Sequence, residues 1–283
     1  MILARPPFPT GRLRLALSPN ADGRAALGIY RPLAPAGRAL RRAVLLGSRV
    51  PGRRRLPDET VDMLVALLGV PADGACVMAS STPDRSIIGL ASDRRLIAVA
   101  KVGRADDLAL RREATTLTEQ AATGGLRVPP VLFAADVNGR YVCATVAVAG
   151  RARVEQRVAL DLALDLARRE WTHGDLAPWN LVGDPPTLLD WEAARPGLTP
   201  LYDLAHFVVQ SAALLHRGSA GSVVHDLCAA DGVGAAYLAG LGVSPAEAPA
   251  HLLAYLDQVE ESQTAPAQVR LRREIREALR CGC

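Results

Sequence analysis

The stretch His173-Gly174-Asp175-Leu176-Ala177-Pro178-Trp179-Asn180, followed ten residues after its asparagine by Asp190-Trp191-Glu192, decides the reading of this sequence. Taken singly its polar residues say little, because a lone Asp or Asn in a loop is most often a turn or cap residue and Asp-x-Glu is common on surfaces. Taken together, they place an amide oxygen and three carboxylates within eighteen residues. Between them, Gly183-Asp184-Pro185-Pro186 separates two short apolar runs and predicts a strand-turn-strand passage. Such a turn folds the second run back, so that Asn180 before it and Asp190 after it converge. Trp171, Trp179 and Trp191 are all the tryptophans in the chain. Their place is packing this segment rather than touching a ligand.

The arrangement resembles the catalytic loop and metal motif of kinase-fold enzymes. His-Gly-Asp in place of His-Arg-Asp resembles the aminoglycoside phosphotransferases, and Asp-Trp-Glu is similar to the Asp-Phe-Glu of choline and ethanolamine kinases. The resemblance implies an α+β, two-lobed protein-kinase-like fold, with an N-lobe of antiparallel sheet plus one helix and a mostly helical C-lobe. It also implies transfer of the γ-phosphoryl group of ATP, with Mg²⁺, to a hydroxyl of a small molecule such as a sugar, aminocyclitol, aminoglycoside or amino alcohol. In that chemistry a carboxylate orients the acceptor hydroxyl and takes its proton, the role of Asp175. Mg²⁺ takes hard oxygen ligands, here Asn180 and Asp190, with Glu192 holding a second ion if the chain stays extended after Asp190. His173 shapes the loop, and Asp203 in Tyr202-Asp203-Leu204-Ala205-His206 braces it.

Working outward, the basic residues carry a second signal. Of 33, all are Arg except Lys101. An ammonium and a guanidinium differ in size, hydration and hydrogen-bond geometry, so the exception points to a site that requires Lys. Lys101 ends the run Ile97-Ala98-Val99-Ala100-Lys101, which is similar to the Val-Ala-Ile-Lys strand of kinases, where Lys holds ATP phosphates and pairs with a helix Glu. Glu113 is the expected partner, with Glu119 the competing choice. The turn Ser80-Ser81-Thr82-Pro83-Asp84-Arg85 stands where a phosphate loop belongs but has no Gly-x-Gly. Ser81 and Thr82 are its candidate phosphate contacts.

Short β-prone runs are expected at Ala75–Ala79, Ser86–Ala91 and Leu96–Lys101, the last two joined by Ser92-Asp93. A helix capped by Asp106 or Asp107 and carrying Leu110, Ala114, Leu117 and Ala121 on one face ends at Gly124-Gly125. Val128–Ala134 and Arg140–Val148 flank Asn138-Gly139, a hairpin signal. That makes five strands and one helix. A helix over Arg153–Glu170 and helical runs to the end follow, which sets domains at 1–149, nucleotide-binding, and 150–283, catalytic. Residues 1–60 are a poorly defined extension in which Arg38–Leu46 has amphipathic spacing.

Composition narrows the function classes. The chain has 283 residues, 49% hydrophobic, enough for a sizeable core. The early cluster Arg41, Arg42, Arg49, Arg53, Arg54 and Arg55 lacks interleaved aromatics, so nucleic-acid binding is not expected. The start has no signal-peptide apolar core, and no run approaches the ~20 apolar residues of a membrane span. Cys76, Cys143, Cys228, Cys281 and Cys283 form no zinc or disulfide pattern. The expectation is a reducing, cytoplasmic setting. Asp190 and Asp203 are too close for the long activation segment of protein kinases, and Ala177 stands where those enzymes usually have Lys, so a peptide acceptor is disfavoured. Asp226, Asp231, Asp257, Glu260 and Glu261 read as a solvated helix face before a pocket for a cationic acceptor. The second functional reading is a nucleotide-binding pseudokinase or scaffold, motivated by the glycine-poor loop; against it, base, metal ligands and Lys are all present.

Overall fold

A computed structural model describes residues 1–4, 15–47, 55–80, 82–259 and 265–281. It divides into two compact units, Met1–Gly150 and Arg151–Cys283. In the first unit the elements run β1 (Ile2–Ala4), β2 (Leu15–Leu17), α1 (Ala21–Ala26), α2 (Pro35–Gly47), β3 (Arg55–Pro57) and α3 (Glu59–Leu68). There follow β4 (Gly74–Ala79), β5 (Ser86–Ser92), β6 (Arg95–Arg104), α4 (Leu108–Thr123), β7 (Val131–Val137) and β8 (Arg140–Val146). Their strands form one eight-stranded sheet in the order β3-β1-β2-β4-β5-β6-β8-β7, antiparallel throughout.

The expected lobe of five strands and one helix is therefore too small. Residues 1–60, read as an undefined extension, supply three strands and two helices. The expected helix over Arg38–Leu46 is α2. Boundaries elsewhere moved for local reasons. The turn between β5 and β6 falls on Asp93 and Arg94, both with positive φ (49° and 59°), one residue later than expected. β7 begins at Val131, because Pro129 and Pro130 have no N–H to give a ladder. The Asn138-Gly139 turn has φ of 50° and 76°, the doubly left-handed geometry suited to a two-residue hairpin.

Alternation along the strands separates the two faces. Ala98, Ala100 and Val102 of β6 and Val142 and Ala144 of β8 join Val61 and Leu64 of α3 in one buried cluster. Tyr141 and Cys143, the intervening residues, pack on Leu110 and Ala114 of α4. Lys101 lies directly opposite Cys143 and thus shares the α4 face. The helix is held at its start by Asp107, whose side chain accepts from Leu110 N–H at 3.0 Å, and it ends at Gly124 with φ 67°. Its buried stripe is Leu110, Glu113, Ala114, Thr116, Leu117 and Gln120; Ala121, expected on it, is exposed.

The second unit contains α5 (Gln156–Arg168), the hairpin β9 (Leu181–Val182) and β10 (Thr187–Leu188), then α6 (Tyr202–Leu215), α7 (Ala220–Cys228), α8 (Val233–Gly240), α9 (Ala248–Gln258) and α10 (Pro266–Arg280). α5 starts three residues later than expected, since the Arg153 N–H donates to Leu181 carbonyl oxygen instead of entering a helix. Helix α6 is buried from Tyr202 to Ala213 and packs against α5, α7, α9 and α10. A largely apolar helix in that position carries Asp203, His206 and Gln210 as a buried polar line, with Ser211 beside it. Among the described residues no single helix is long and apolar enough to cross a membrane.

Candidate active site

In the first unit, the Lys101 ammonium contacts both carboxylate oxygens of Glu113, at 2.8 and 2.7 Å. The pair forms because β6 alternation turns Lys101 toward α4 and the helical stripe turns Glu113 toward the sheet. Glu119, the competing partner, is exposed. Beside Lys101, burial followed by the Glu113 charge pushes the Cys143 thiol up to about 12, so this neighbour stays uncharged.

The glycine-poor turn between β4 and β5 is held from several sides. Ser80 N–H donates to Arg85 carbonyl oxygen at 3.0 Å, Thr82 N–H donates to Ser80 Oγ at 3.2 Å, and Asp84 takes a left-handed φ of 59°. Arg140 donates to Asp84 carbonyl oxygen at 3.0 Å. The buried Arg85 guanidinium donates to both oxygens of Asp107 at 3.0 and 2.7 Å, tying the turn to the start of α4. Burial works against the Asp107 charge, yet the hydrogen bonds from Arg85 and Leu110 hold its carboxyl below the ordinary value. A cavity of about 340 Å³ is lined by Ser80, Thr82, Asp84 and Arg140. Thr82 is at this turn as expected; Ser81 lies outside the described residues.

In the second unit, Asp203 fixes the loop through its backbone. One carboxylate oxygen accepts from His173 N–H at 2.8 Å and the other from Gly174 N–H at 2.9 Å. Gly174 has φ of 80°, and a Cβ there would meet Ala193 carbonyl oxygen at 2.5 Å, so only glycine suits this crossing. His173 is fully buried. Its Nδ1 accepts from Asp175 N–H at 3.3 Å, which leaves Nε2 to donate to Leu189 carbonyl oxygen at 3.0 Å. Burial pushes its pKa down from 6.5, against the opposing pull of Asp203, Asp175 and Asp190, so the ring is a neutral strut rather than a base. The Trp191 ring meets it edge-on at 4.9 Å and donates from Nε1 to Leu188 carbonyl oxygen.

A neutral buried His makes the fold sensitive to acid. Below its ordinary value of 6.5 the unfolded chain binds a proton that the folded chain refuses, so the stability contributed by His173 is full above that pH and falls as pH falls. The expected slope is up to ~1.4 kcal/mol per pH unit. Asp203 acts with the opposite sign, because burial raises its carboxyl pKa. Urea unfolding at pH 7.5 and 5.5 should therefore show a smaller acid loss in His173→Gln than in wild type. An equal loss in both would refute the assignment.

Asp175 is gripped at both carboxylate oxygens. Asn180 Nδ2 donates to its Oδ2 at 2.9 Å and to its backbone carbonyl at 2.9 Å. His206 Nε2 lies 2.9 Å from Oδ1. The β9–β10 register, Leu181 opposite Leu188, continues as Leu189 N–H donating to Asn180 carbonyl oxygen at 2.8 Å, and this brings Asn180 alongside the residue before Asp190. After Leu189 the chain does not stay extended. Asp190 takes a left-handed conformation (φ 66°, ψ 65°) and Trp191–Ala193 make a 3₁₀ turn. Carboxylate oxygens of Asp190 and Glu192 still come within 4.8 Å of each other, through the turn rather than through strand alternation.

His206 was not anticipated. Its one legible signal is a polar side chain one helical turn beyond Asp203 on a largely apolar helix. The acidic candidates for an acceptor pocket are engaged elsewhere: Asp226 accepts from Gln156 at 2.8 Å, Asp257 pairs with Arg276 at 2.6 Å and Asp231 faces His225 at 3.8 Å. Glu260 and Glu261, like Arg49, Arg53, Arg54 and Cys283, lie outside the described residues.

No known family profile and no curated protein matches this sequence. Among solved structures, the chain is similar to a thermostable mutant of the aminoglycoside phosphotransferase APH(4)-Ia in ternary complex with ADP and hygromycin B. The match has 13% identity, covers 80% of this chain and 99% of that one, and has a TM-score of 0.51. A structure of monomeric WbdD matches at 18% identity over 56% of this chain, with a TM-score of 0.41. The chain spans 44% of the length of that WbdD structure. The match to APH(4)-Ia shows the fold: this chain has an α+β, two-lobed kinase-like fold similar to that of this aminoglycoside phosphotransferase.

Proposed function

We propose that this chain is an ATP- and Mg²⁺-dependent phosphotransferase acting on a hydroxyl of a small molecule, a sugar, aminocyclitol, aminoglycoside or amino alcohol. The observation that carries the reading is the grip on Asp175. Asn180 spends both amide hydrogens on Asp175, which fixes the orientation of its amide and leaves the carbonyl oxygen for a hard cation. With the Asp190 and Glu192 carboxylates, the donor set is all oxygen, the kind that suits Mg²⁺. When bound, the ion would neutralise charge on the nucleotide phosphates.

Asp175 accepts the proton of the acceptor hydroxyl as its oxygen bonds to the γ-phosphorus, and the bond to the β-phosphate oxygen breaks to release ADP. Lys101, held by Glu113, contacts the nucleotide phosphates. Thr82 offers a hydroxyl at the turn, and the proposal keeps Ser81 as the second phosphate contact on its sequence position alone. Residues 1–149 would bind nucleotide, and residues 150–283 would hold the acceptor. The APH(4)-Ia structure, with ADP and hygromycin B together, supports a nucleotide and a small-molecule acceptor. The proposal includes a reducing, cytoplasmic setting, where ATP and Mg²⁺ are supplied.

The test is transfer from γ-labelled ATP to pooled sugars, aminoglycosides and amino alcohols. Acceptor-dependent labelling that EDTA abolishes is expected. Nucleotide binding with Mg²⁺ but neither transfer nor hydrolysis would sink the enzyme reading in favour of a binding module, the outcome that the pinned, glycine-poor turn would then explain.

A further inference from the structure

We propose that His206 is a positioning residue for this reaction, holding the Asp175 carboxylate in the one orientation that receives the acceptor proton. The proposal rests on the phosphotransferase reading above. Its first support is the hydrogen bond itself. An ionised carboxylate only accepts, so the 2.9 Å contact between His206 Nε2 and Asp175 Oδ1 is an N–H donated by the imidazole. Asn180 holds Oδ2 from the other side at the same distance. A carboxylate bonded at one oxygen can still rotate about its Cβ–Cγ bond. Bonded at both, by two side chains from different elements, it cannot turn without breaking one bond, while further lone pairs stay open toward solvent.

The second support is asymmetric burial: the His206 side chain is 6% exposed and that of Asp175 is 35% exposed. The donor is thus rooted in the core and the acceptor reaches the surface, as expected when one group aims another. The third is the seating of the ring. Tyr202 stacks near-parallel to it at 6.0 Å and Tyr255 meets it edge-on at 6.0 Å, while the two tyrosines contact each other at 5.2 Å. Finally, α6 controls the loop twice in successive turns. Asp203 sets the backbone of His173 and Gly174, and His206, three residues on, sets the carboxylate that this backbone carries. In the reaction the hydroxyl proton passes to Asp175, and His206 neither gains nor loses a proton.

The experiment separates hydrogen bonding from ring packing. His206→Phe keeps an aromatic ring between Tyr202 and Tyr255 but has no donor. His206→Gln carries an amide N–H at about the reach of Nε2 but packs less well. Expected are a kcat about 10- to 100-fold below wild type for Phe, with KM for ATP unchanged, and a kcat for Gln several-fold above that of Phe despite a lower melting temperature. His206→Leu serves as the apolar variant if Phe fails to fold. The proposal is overturned if the apolar variant keeps wild-type kcat, or if kcat follows melting temperature across the series. Wild type that moves no phosphoryl group to acceptor or water overturns the phosphotransferase reading itself, and this role with it.

Discussion

Substitution of Asp175 by Asn is expected to lower acceptor-dependent turnover by about 10²- to 10⁴-fold, the range for losing a general base. Asn matches Asp in shape, so the fold and nucleotide affinity should survive. It cannot accept a proton at neutral pH. The amide also brings a donor to a place where both neighbours donate, since Asn180 Nδ2 and His206 Nε2 each point a hydrogen at this group. With His206 in the tautomer it has beside a carboxylate, one of those contacts becomes donor against donor, at a cost of about 1–3 kcal/mol. The variant should therefore melt slightly earlier while losing nearly all transfer. Turnover within about threefold of wild type would remove Asp175 from the reaction.

Asp203→Ala should produce the largest loss of stability. Its carboxylate is buried and satisfies two backbone N–H groups, those of His173 and Gly174. Removing it strands both donors, that of His173 in a buried place and that of Gly174 in a partly buried one, for roughly 1–3 kcal/mol each and so about 2–6 kcal/mol together at most. That is a large share of a typical folding free energy of ~5–15 kcal/mol. Burial pushes the Asp203 carboxyl pKa up, so the charge is not free of cost, and this offsets part of the loss. Asp203→Asn keeps one acceptor and should fall between Ala and wild type. Denaturant unfolding measures both, and a loss under about 1 kcal/mol in Ala would show that the loop does not depend on this brace.

Much of the first unit was legible because its signals are local. Asn138-Gly139 could hardly be anything but a turn, Asp107 announces a helix start, and Lys101 stands out chemically among Arg residues. The three N-terminal strands were not legible. Each has three residues, too few to display alternation, and β1 pairs with β3 across more than fifty positions. At the site, the order Asp175, Asn180, Asp190 anticipated which side chains the structure draws together: Asn180 bonds Asp175 and lies alongside the residue before Asp190. The left-handed Asp190 and the 3₁₀ turn after it overrode the extended geometry assumed for Glu192. His206 was missed because its meaning arises only when α6 is packed against a loop thirty-one positions earlier. Nothing in its immediate neighbours announces that contact.

The short strand β2 has a consequence for how this protein behaves in a tube. It covers the free edge of β4, pairing Leu15 with Met78, Ala16 with Val77 and Leu17 with Cys76. The strand it covers reads Gly-Ala-Cys-Val-Met-Ala, with neither charge nor proline. Uncovered, such an edge offers unpaired N–H and C=O groups to any other copy of itself, the usual start of edge-to-edge polymerisation. Residues with no part in the proposed chemistry thus act as a guard strip. Shortening the amino terminus past Leu17 is expected to leave a protein that clumps, whatever its chemistry.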